Sequence, residues 1–350
     1  MRIALFCPNW VGDLVMATPA FRAIRSHFPE AEIAGVMRPY LAGVLEGTDL
    51  VDRVLPFDAP EKMSREAASY TLSEFRRERF DLAVLFPNSF RSAWWAWLSG
   101  ARRRVGFARN GRGFLLTETL SSRQRKIPHP TLDDYLLLAQ AVGCQDISRD
   151  IQLATLPYEE EQLEDFWDRH PGLPHKGVVT LNVGGAFGSA KHWPVTSASL
   201  LARRMATELD KTVLVLCGPA EREQASQIAQ LANHPQVVSL AEESLSLGLI
   251  KAAVKHSELL VSTDSGPRHF AAGFQTPVVV LFGPTHQAWS ETYYSRSLHL
   301  QLSLDCGPCQ QRTCPLGHHR CMRDLSADMV FEAVLQQLEQ TPARTLVRAA

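Results

Sequence analysis

The sequence lacks any apolar run approaching the ~20 residues that a membrane-spanning helix requires. Charge of either sign is not in excess, because the net charge is −1, and this balance argues against general nucleic-acid binding. The opening "MRIALFCPNW" has too short an apolar part for a signal peptide, since a proline, an asparagine and a tryptophan interrupt it. We therefore expect a protein that stays in the cytoplasm and binds no nucleic acid.

Cysteine is also scarce, with seven in 350 residues, and the odd number does not suggest a disulfide framework. Four of the seven nevertheless lie close together, in "CGPCQQRTCPLGHHRC". In a cytoplasmic protein this spacing favours a metal over disulfides, and four thiolates suit structural zinc or an iron–sulfur cluster. The alternative is a loop of reduced thiols. The candidate ligands are Cys306, Cys309, Cys314 and Cys321.

The chain is too long for one ordinary core, and its composition, 45% hydrophobic and 21% charged, is typical of a soluble globular protein. Apolar runs bounded by turn residues alternate with segments of helical spacing, which indicates parallel sheets covered on both faces. A polar segment at 145–176 separates two such series. The predicted strands are 2–7, 31–37, 53–57 and 80–86 in the first series, and 177–183, 211–217, 236–240, 258–263 and 277–282 in the second.

We therefore predict an α/β protein with two Rossmann-like, doubly wound domains that face each other across a cleft. The expected bounds are 1–160 for the first domain, 161–176 for a linker and 177–325 for the second domain, with a helix in 326–350. Ligands of such sheets bind beyond the carboxyl ends of the strands, so the loops that follow the strands should carry the function.

The first of these loops is "CPNWVGDL", where Gly12 permits a tight turn from strand to helix. Asp13 then falls at a helix start, and one interpretation is that it only caps backbone N–H groups. The other is a carboxylate at the lip of the cleft that accepts a proton from a bound hydroxyl. A helix N-terminus stabilises the ionised carboxylate that this role requires.

Three further loops have the residues of a phosphate and ribose site. "LNVGGAFGSAKHWP" offers glycines for close backbone approach and Lys191 as a point charge, although it has neither the Walker order nor GxGxxG. Glu221, after the next strand, suits a ribose diol, or is simply a first-turn glutamate. "STDSGPRHF" opens a helix whose free N–H groups form an anion site around Ser265 and Gly266, beside Asp264. "FGPT", with Gly283 and Thr285, lines the same edge.

A basic stretch extends from Arg76 to Lys126, with twelve Lys or Arg against three Asp or Glu. It indicates either a solvated helix face or a surface for an anionic partner. Trp94, Trp95 and Trp97 lie within it. Three tryptophans in one short helix either contact lipid or, as is commoner, fill a core between domains.

Together, "PNWVGDLVMATPAFRAIRSHFP", "GGAFGSAKHWP", "STDSGPRHFAAG" and "VVVLFGPT" resemble the bacterial heptosyltransferases of glycosyltransferase family nine. The resemblance covers essentially the whole chain, with the segments in the same order and at the same spacing. "AFGSAKHWP" is most similar to the heptosyltransferase II branch, the ADP-heptose:lipopolysaccharide enzymes. Val183 and His192 depart from that branch, which usually has Pro and commonly Arg at these positions.

The resemblance implies the two-domain GT-B fold, inversion at the anomeric carbon and no metal ion for catalysis. It gives Asp13 the role of general base, Lys191 that of the donor-phosphate lysine, and Glu221 that of holding the donor ribose. It also implies that the last helix returns to the first domain. The residues expected to bind the donor are Ser189, Lys191, Glu221, Asp264, Ser265, Gly266, Gly283 and Thr285.

The first domain would then bind the acceptor, lipopolysaccharide inner core, whose carboxylates and phosphates suit the basic stretch. Attraction of basic residues to anionic lipid would add peripheral contact with the inner membrane at its cytoplasmic face. The residues expected to bind the acceptor are Asn9, Trp10, Gly12, Asn88, Arg102, Arg103 and Arg104.

The expected activity is transfer of heptose from ADP-heptose to a heptose of the inner core, by a monomer that needs no cofactor for catalysis. One alternative is another family-nine transferase with a different sugar or acceptor. A second is a GT-B-like nucleotide-sugar epimerase, which would convert the donor with no acceptor present. A non-catalytic nucleotide-sugar binder is disfavoured, because a candidate base and phosphate ligands are both present.

Overall fold

A computed structural model describes residues 1–58, 64–121, 127–174 and 177–340. The chain divides into two compact units, Met1–Ala154 and Thr155–Ala350. This division falls earlier than the expected linker at 161–176, because the helix at Pro157–Asp168 packs on a helix of the second unit, Leu247–Lys255. A fully buried ion pair between Glu159 and Lys251, 3.3 Å apart, fixes that packing.

Within the described residues, the first unit contains one six-stranded sheet in the order β3-β2-β1-β4-β5-β6, with all its pairs parallel. The strand at its centre, β1, is a run of buried apolar residues, as expected for a strand covered on both faces. The strands are β1 Arg2–Phe6, β2 Glu32–Met37, β3 Arg53–Pro56, β4 Leu82–Leu85, β5 Arg103–Phe107 and β6 Glu118–Leu120.

The helices of this unit cover the sheet and begin after its strands. The apolar side of α4 packs with β1, β2 and β4 in one core that includes Phe6, Phe75 and Trp95. The helices are α1 Val11–His27, α2 Ala42–Leu45, α3 Arg65–Glu78, α4 Phe90–Leu98 and α5 Thr131–Ala141.

The second unit repeats the plan with a parallel sheet of order β12-β11-β10-β7-β8-β9 among its described residues. Its central strands are again apolar throughout. The strands are β7 Val179–Asn182, β8 Val213–Val215, β9 Val237–Ser239, β10 Leu259–Thr263, β11 Val278–Phe282 and β12 Ser297–Gln301. The helices are α6 Pro157–Asp168, α7 Val195–Leu209, α8 Arg222–Ala232, α9 Leu247–Lys255, α10 Gly266–Phe274, α11 Arg320–Arg323 and α12 Ala327–Glu339.

The last helix, α12, has its partners within the second unit, whereas the sequence analysis placed it on the first domain. Its apolar side packs on α7 and on strands β10 to β12. Arg204 of α7 pairs with Asp328 at 2.7 Å and lies over the ring of Phe331, 3.8 Å from its centroid. Ser326 caps the helix as its position predicts, by accepting a hydrogen bond from the Met329 N–H.

The predicted fold class, α/β with two Rossmann-like parallel sheets, is confirmed. Every strand predicted from an apolar run is present, and β5, β6 and β12 are additional. Among the described residues, none of the helices combines the length and apolar character needed to cross a bilayer. In both units the loops at the carboxyl edge of the sheet come directly before helix N-termini, and this geometry positions the candidate site.

Candidate active site

The loop after β1 presents Asp13 in the first turn of α1. Trp10 is the N-cap of this helix and makes no capping bond through its side chain, so Asp13 is the third helical residue rather than the cap. Gly12 lies inside the same turn, as the second helical residue. The carboxylate of Asp13 interacts electrostatically with Tyr135 on α5. Burial is the main reason that the pKa of the Tyr135 phenol is raised, and the charges of Asp13 and Asp134 raise it further.

Two exposed aromatic residues border the Asp13 turn. Trp10 is exposed, and so is Tyr40, whose hydroxyl donates a hydrogen bond of 3.0 Å to the backbone oxygen of Asn9. The backbone of Asn9 is thus held by a neighbouring segment. The predicted acceptor residues Asn9, Trp10 and Gly12 therefore lie in one loop with Asp13.

The loop after β4, residues 87–89, is held by a buried arginine that the sequence analysis missed. Arg112 is fully buried and donates to the backbone oxygens of Pro87 and Ser89, and its Nη2 donates 3.1 Å to Asn88 Oδ1. Burial lowers the pKa of Arg112 to about 10, with the charge of Arg109 as a second cause. The predicted acceptor residue Asn88 is therefore held by a fixed partner.

Arg109 follows β5 and puts a second positive charge at this carboxyl edge. Its Nη2 lies 3.7 Å from Asp134 Oδ2, and His129 Nε2 lies 3.1 Å from the same oxygen. Asp134 precedes Tyr135, the residue that the charge of Asp13 reaches. The signal that would have found Arg109 is the short apolar run "VGF", read as the end of a strand.

The structure does not bring the other three predicted acceptor arginines to this edge. Arg103 and Arg104 begin β5, at the amino edge of the sheet, and Arg102 comes just before them. Arg103 makes bonds of 2.7 and 3.0 Å to Glu118, and Arg104 donates 2.7 Å to the backbone oxygen of Leu115. These three arginines thus lie at the edge of the sheet opposite the post-β4 loop, and their contact with the acceptor stays a prediction.

In the second unit, the Asp264 cluster (Lys191, Asp264, Arg268 and Thr285) joins three loops at the carboxyl edge. Lys191 Nζ donates 2.6 Å to Asp264 Oδ2 and 2.8 Å to the backbone oxygen of Asp264. Thr285 Oγ1 donates 2.7 Å to Oδ2 as well, and Ser290 donates 2.9 Å to Oδ1. The three predicted donor residues Lys191, Asp264 and Thr285 are thus brought together.

Arg268 completes the Asp264 cluster and was not predicted. Its Nε lies 3.2 Å from Asp264 Oδ1, and its side chain is buried. Burial would raise the pKa of Asp264, but the charges of Arg268 and Lys191, with hydrogen bonds from Lys191 and Thr285, lower it well below its usual value. Two cations thus flank the carboxylate of Asp264 and favour its ionised form, and the carboxylate of Glu291 also interacts with Arg268.

Helix α10 starts beside this cluster with its N-terminal amides uncapped by a side chain. Its N-cap is Ser265, whose hydroxyl accepts 2.7 Å from Asn182 Nδ2 instead of from the helix. Gly266 is the first helical residue and Pro267 follows it, as the sequence predicts. The first turn therefore offers backbone N–H groups and the positive end of the helix dipole to an anion.

Glu221 lies against the glycine loop (184–188). Its Oε2 accepts 2.9 Å from the N–H of Gly218, and a side chain at Gly184 would collide with its carboxyl group. The glycine loop therefore brings its backbone next to Glu221, at the same edge as Lys191. Ser189 follows the loop and is exposed.

The cysteine segment (306–321) contacts two of these loops. The backbone oxygen of Arg312 accepts 3.0 Å from the Ala190 N–H, and the Gln310 N–H donates 2.8 Å to the oxygen of Pro284. A side chain at Gly283 would meet Met322 and Cys321, so this predicted donor residue is a glycine because α11 packs on it. The segment is thus adjacent to the candidate donor site, although it is distant in sequence.

Among the described residues, no group of three or more His, Cys, Asp or Glu side chains is arranged to hold a metal ion. The four cysteines are nevertheless close enough to interact. Burial first, and then the charges of Cys309, Cys314 and Cys306, raise the pKa of the Cys321 thiol.

The chain is similar over nearly its whole length to known bacterial proteins. It is 26% identical to lipooligosaccharide heptosyltransferase 2 of Campylobacter jejuni, over 97% of this chain and 99% of that protein. It is also 26% identical to lipopolysaccharide heptosyltransferase 2 of Escherichia coli, over 98% and 100%. The solved structure of the ADP-heptose lipopolysaccharide heptosyltransferase II of E. coli has the same fold, with a TM-score of 0.80 and 23% identity over 97% of this chain and 99% of that one.

One family model matches the chain from within α3 to the cysteine segment, a range that includes most of the loops described above. The model of glycosyltransferase family 9 (heptosyltransferase) matches residues 71–320, which is most of the chain. This range contains the post-β4 loop, the Asp264 cluster and Glu221. The expectation of a glycosyl-transferring enzyme is therefore confirmed, and the chain belongs to glycosyltransferase family 9, the heptosyltransferase family.

Proposed function

We propose that this protein transfers heptose from ADP-heptose to a heptose of the lipopolysaccharide inner core, with inversion at the anomeric carbon. The observation that carries the proposal is the Asp264 cluster at the N-terminus of α10, where the cationic side chains of Lys191 and Arg268 meet backbone amides that no side chain caps. A departing diphosphate needs such a site. The full-length similarity to heptosyltransferase 2 proteins supports the choice of donor and acceptor.

The second unit binds the donor in this proposal. Lys191 and the first turn of α10 receive the diphosphate, and Glu221 accepts hydrogen bonds from the ribose hydroxyls. Asp264 already uses both carboxylate oxygens within its cluster, so it acts mainly by holding Lys191 and Thr285 in place. When the bond from the anomeric carbon to phosphate breaks, negative charge grows on ADP, and this arrangement stabilises it.

The first unit supplies the base and binds the acceptor. The acceptor hydroxyl oxygen forms the new bond to the anomeric carbon on the face opposite the leaving ADP, and its proton passes to Asp13. Arg109 and the post-β4 loop (87–89) then contact the anionic groups of the inner core. Asn9, Trp10 and Gly12 lie beside the base and complete the acceptor contacts.

Product analysis with purified protein tests the proposal. ADP-heptose is incubated alone and with a panel of truncated inner-core acceptors, and both sugar nucleotide and saccharide are followed. We expect ADP release and a lengthened saccharide only when an acceptor ending in heptose is present. Donor conversion without any acceptor would favour an epimerase, and activity with another nucleotide sugar only would favour a different family-nine transferase.

We also propose that the protein works as a monomer at the cytoplasmic face of the inner membrane and uses no cofactor in catalysis. A structural zinc or iron–sulfur centre at the four cysteines is a separate hypothesis, supported by their mutual charge interaction. In the described residues the thiols would have to converge further to ligate one ion. Elemental analysis of protein purified without chelators decides it: about one zinc, or several irons with acid-labile sulfide, supports a metal.

A further inference from the structure

Four aromatic side chains form one exposed patch on the first unit. Phe90, Trp94 and Trp97 lie on one face of α4, and Phe114 comes from the segment before β6. They are 43%, 41%, 45% and 75% exposed, respectively. Their rings pack in the order Phe114, Phe90, Trp94 and Trp97. The distances between successive ring centroids are 6.1, 6.3 and 5.1 Å. We call these four residues the aromatic patch.

The aromatic patch is not needed to fill a core, because α4 has a second apolar face that does so. Trp95 is buried and packs edge-on against Phe57 and Phe75, with ring centroids 5.5 and 5.9 Å away. Of the three tryptophans in the sequence motif, one therefore belongs to the core and two point to solvent. An exposed set of joined large aromatic rings marks a binding surface.

The surroundings of the aromatic patch are positively charged. Residues 82–117 contain six arginines, no lysine and no acidic residue. Of these, Arg112 is buried, Arg103 pairs with Glu118 and Arg109 lies 3.7 Å from Asp134, so the arginines beside the patch matter most. Arg91 is exposed within α4 itself. At the other end of the helix, the exposed Arg76 donates 3.1 Å to the backbone oxygen of Leu98. A second copy of this chain would bring two such surfaces of like charge together, which disfavours self-association as the use of the patch.

The aromatic patch also adjoins the loop that we assign to the acceptor. Helix α4 starts directly after the post-β4 loop, with Ser89 as its N-cap. Phe114 follows Arg112, the arginine that holds that loop, by two residues. A surface that binds here would lie next to the bound acceptor.

We propose that the aromatic patch and its flanking arginines dock the enzyme on an anionic lipid bilayer. Tryptophan and phenylalanine insert at the interface between headgroups and acyl chains, and arginines pair with lipid phosphates. The inference deepens the proposed function, because an acceptor carried by a lipid is presented at such a surface.

Vesicle binding tests the docking without donor or acceptor. The protein is sedimented with vesicles of phosphatidylethanolamine and phosphatidylglycerol, and with vesicles of phosphatidylcholine alone. We expect binding to the anionic vesicles, a blue shift of tryptophan fluorescence, and weakening by salt. The double variant Trp94→Gln/Trp97→Gln should bind roughly tenfold or more weakly, since most of the inserting apolar area is gone.

The matched control is Tyr70→Gln/Tyr158→Gln, which removes two exposed aromatic residues elsewhere and should bind vesicles like the parent protein. A second readout compares transfer to a water-soluble, deacylated acceptor with transfer to a vesicle-embedded one; only the latter should fall in the tryptophan variant. Parental vesicle binding by that variant would overturn the docking proposal. The proposal would also be overturned if the parent protein did not bind anionic vesicles and instead formed a dimer that the tryptophan substitutions dissociate. The patch would then serve self-association. Neither result bears on the transfer reaction itself.

Discussion

At the scale of single residues, Asp13 is the clearest test of the chemistry. It lies in the first turn of α1 as the third helical residue, and the N-cap is Trp10. We expect Asp13→Asn to keep the fold and ADP affinity while kcat falls by ~10²–10⁴-fold, the usual loss of a general base. Steady-state kinetics, ADP titration and thermal unfolding measure the three quantities.

Asp146→Asn is the control for this variant, because Asp146 is an exposed carboxylate elsewhere in the first unit. It should leave kcat as it is. An Asp13→Asn enzyme with near-parental kcat would remove Asp13 from the mechanism, whatever its effect on stability.

Lys191 is the second residue whose role can be isolated. Lys191→Met removes a charged donor from the diphosphate, and hydrogen bonds to charged groups are worth ~1.5–3 kcal/mol. We expect the Kd for ADP to rise at least roughly tenfold, as measured by calorimetry. The matched control is Lys211→Met, which breaks a lysine–glutamate pair of 2.5 Å with Glu258. Equal ADP affinity in the two variants would exclude the phosphate role.

At the scale of elements, the post-β4 loop depends on one buried side chain. Arg112→Lys keeps a charge but loses most of the bonds to Pro87, Asn88 and Ser89. The acceptor KM should therefore rise much more than kcat falls, and the free energy of unfolding should drop by about 1–3 kcal/mol from unpaired carbonyls. Kinetics with varied acceptor and urea denaturation give both values.

Arg104→Lys is the matched control at the opposite edge of the sheet, where Arg104 also donates to backbone oxygens. It should cost stability without raising the acceptor KM. A parallel rise of KM in both variants would mean that Arg112 affects only the stability of the unit.

The sequence predicted the elements best where the apolar runs were long and bounded by turn residues. The central strands and the N-termini of α1 and α10 follow from hydrophobic runs and from glycine and proline positions. Strand β5 was missed because two arginines open it. Without that strand, the sequence did not indicate that Arg102, Arg103 and Arg104 lie at the amino edge of the sheet, nor that Arg109 lies at the carboxyl edge.

The residues of the candidate site were predictable when they directly followed a predicted strand, as Asp264 does, or lay in the loop after one, as Asp13 and Lys191 do. Arg112 and Arg268 were not, because a charge is normally exposed and only tertiary contacts reveal that these two are buried. Gly283 matched the family motif, and the structure also shows that a side chain there would meet Met322. Sequence patterns cannot separate a glycine that admits a ligand from one that admits a neighbouring side chain.

At the scale of the whole molecule, buried histidine makes stability depend on pH. His269 is buried beside Arg268, and burial, then the charge of Arg268, lowers the pKa of its imidazole well below 6.5. Below pH 6.5 the imidazole of His269 binds a proton in the unfolded chain but not in the folded protein. The free energy of unfolding should therefore fall as pH decreases from 6.5, by up to ~1.4 kcal/mol per pH unit for this group.

Asp264 does not contribute in the same range, because its pKa is already lowered from 3.8, so that its effect appears only below that pH. Urea denaturation between pH 7 and about pH 5.5 therefore reports mainly on the buried histidines, with His299, whose pKa burial also lowers, as a second contributor. Below that range Glu160 adds its own loss of stability: burial would raise its pKa, but hydrogen bonds from His256, Lys255 and Thr155 lower it from 4.5 to about 2. His269→Gln should flatten the profile and the exposed His27→Gln should not. An unchanged slope in His269→Gln would contradict the assignment.

The packing of Arg312 against the glycine loop has a consequence for protein engineering. Gly188 has a φ of +150°, and any larger residue there would strike the backbone oxygen of Arg312. Residues more than a hundred positions apart are thus interlocked through main chain, and the Arg312 guanidinium also lies over the Phe187 ring of the glycine loop, 5.6 Å from its centroid. We therefore expect a chimaera that takes the glycine loop from a relative to fold stably only when residues 306–321 come from the same parent, because each segment packs against the backbone of the other.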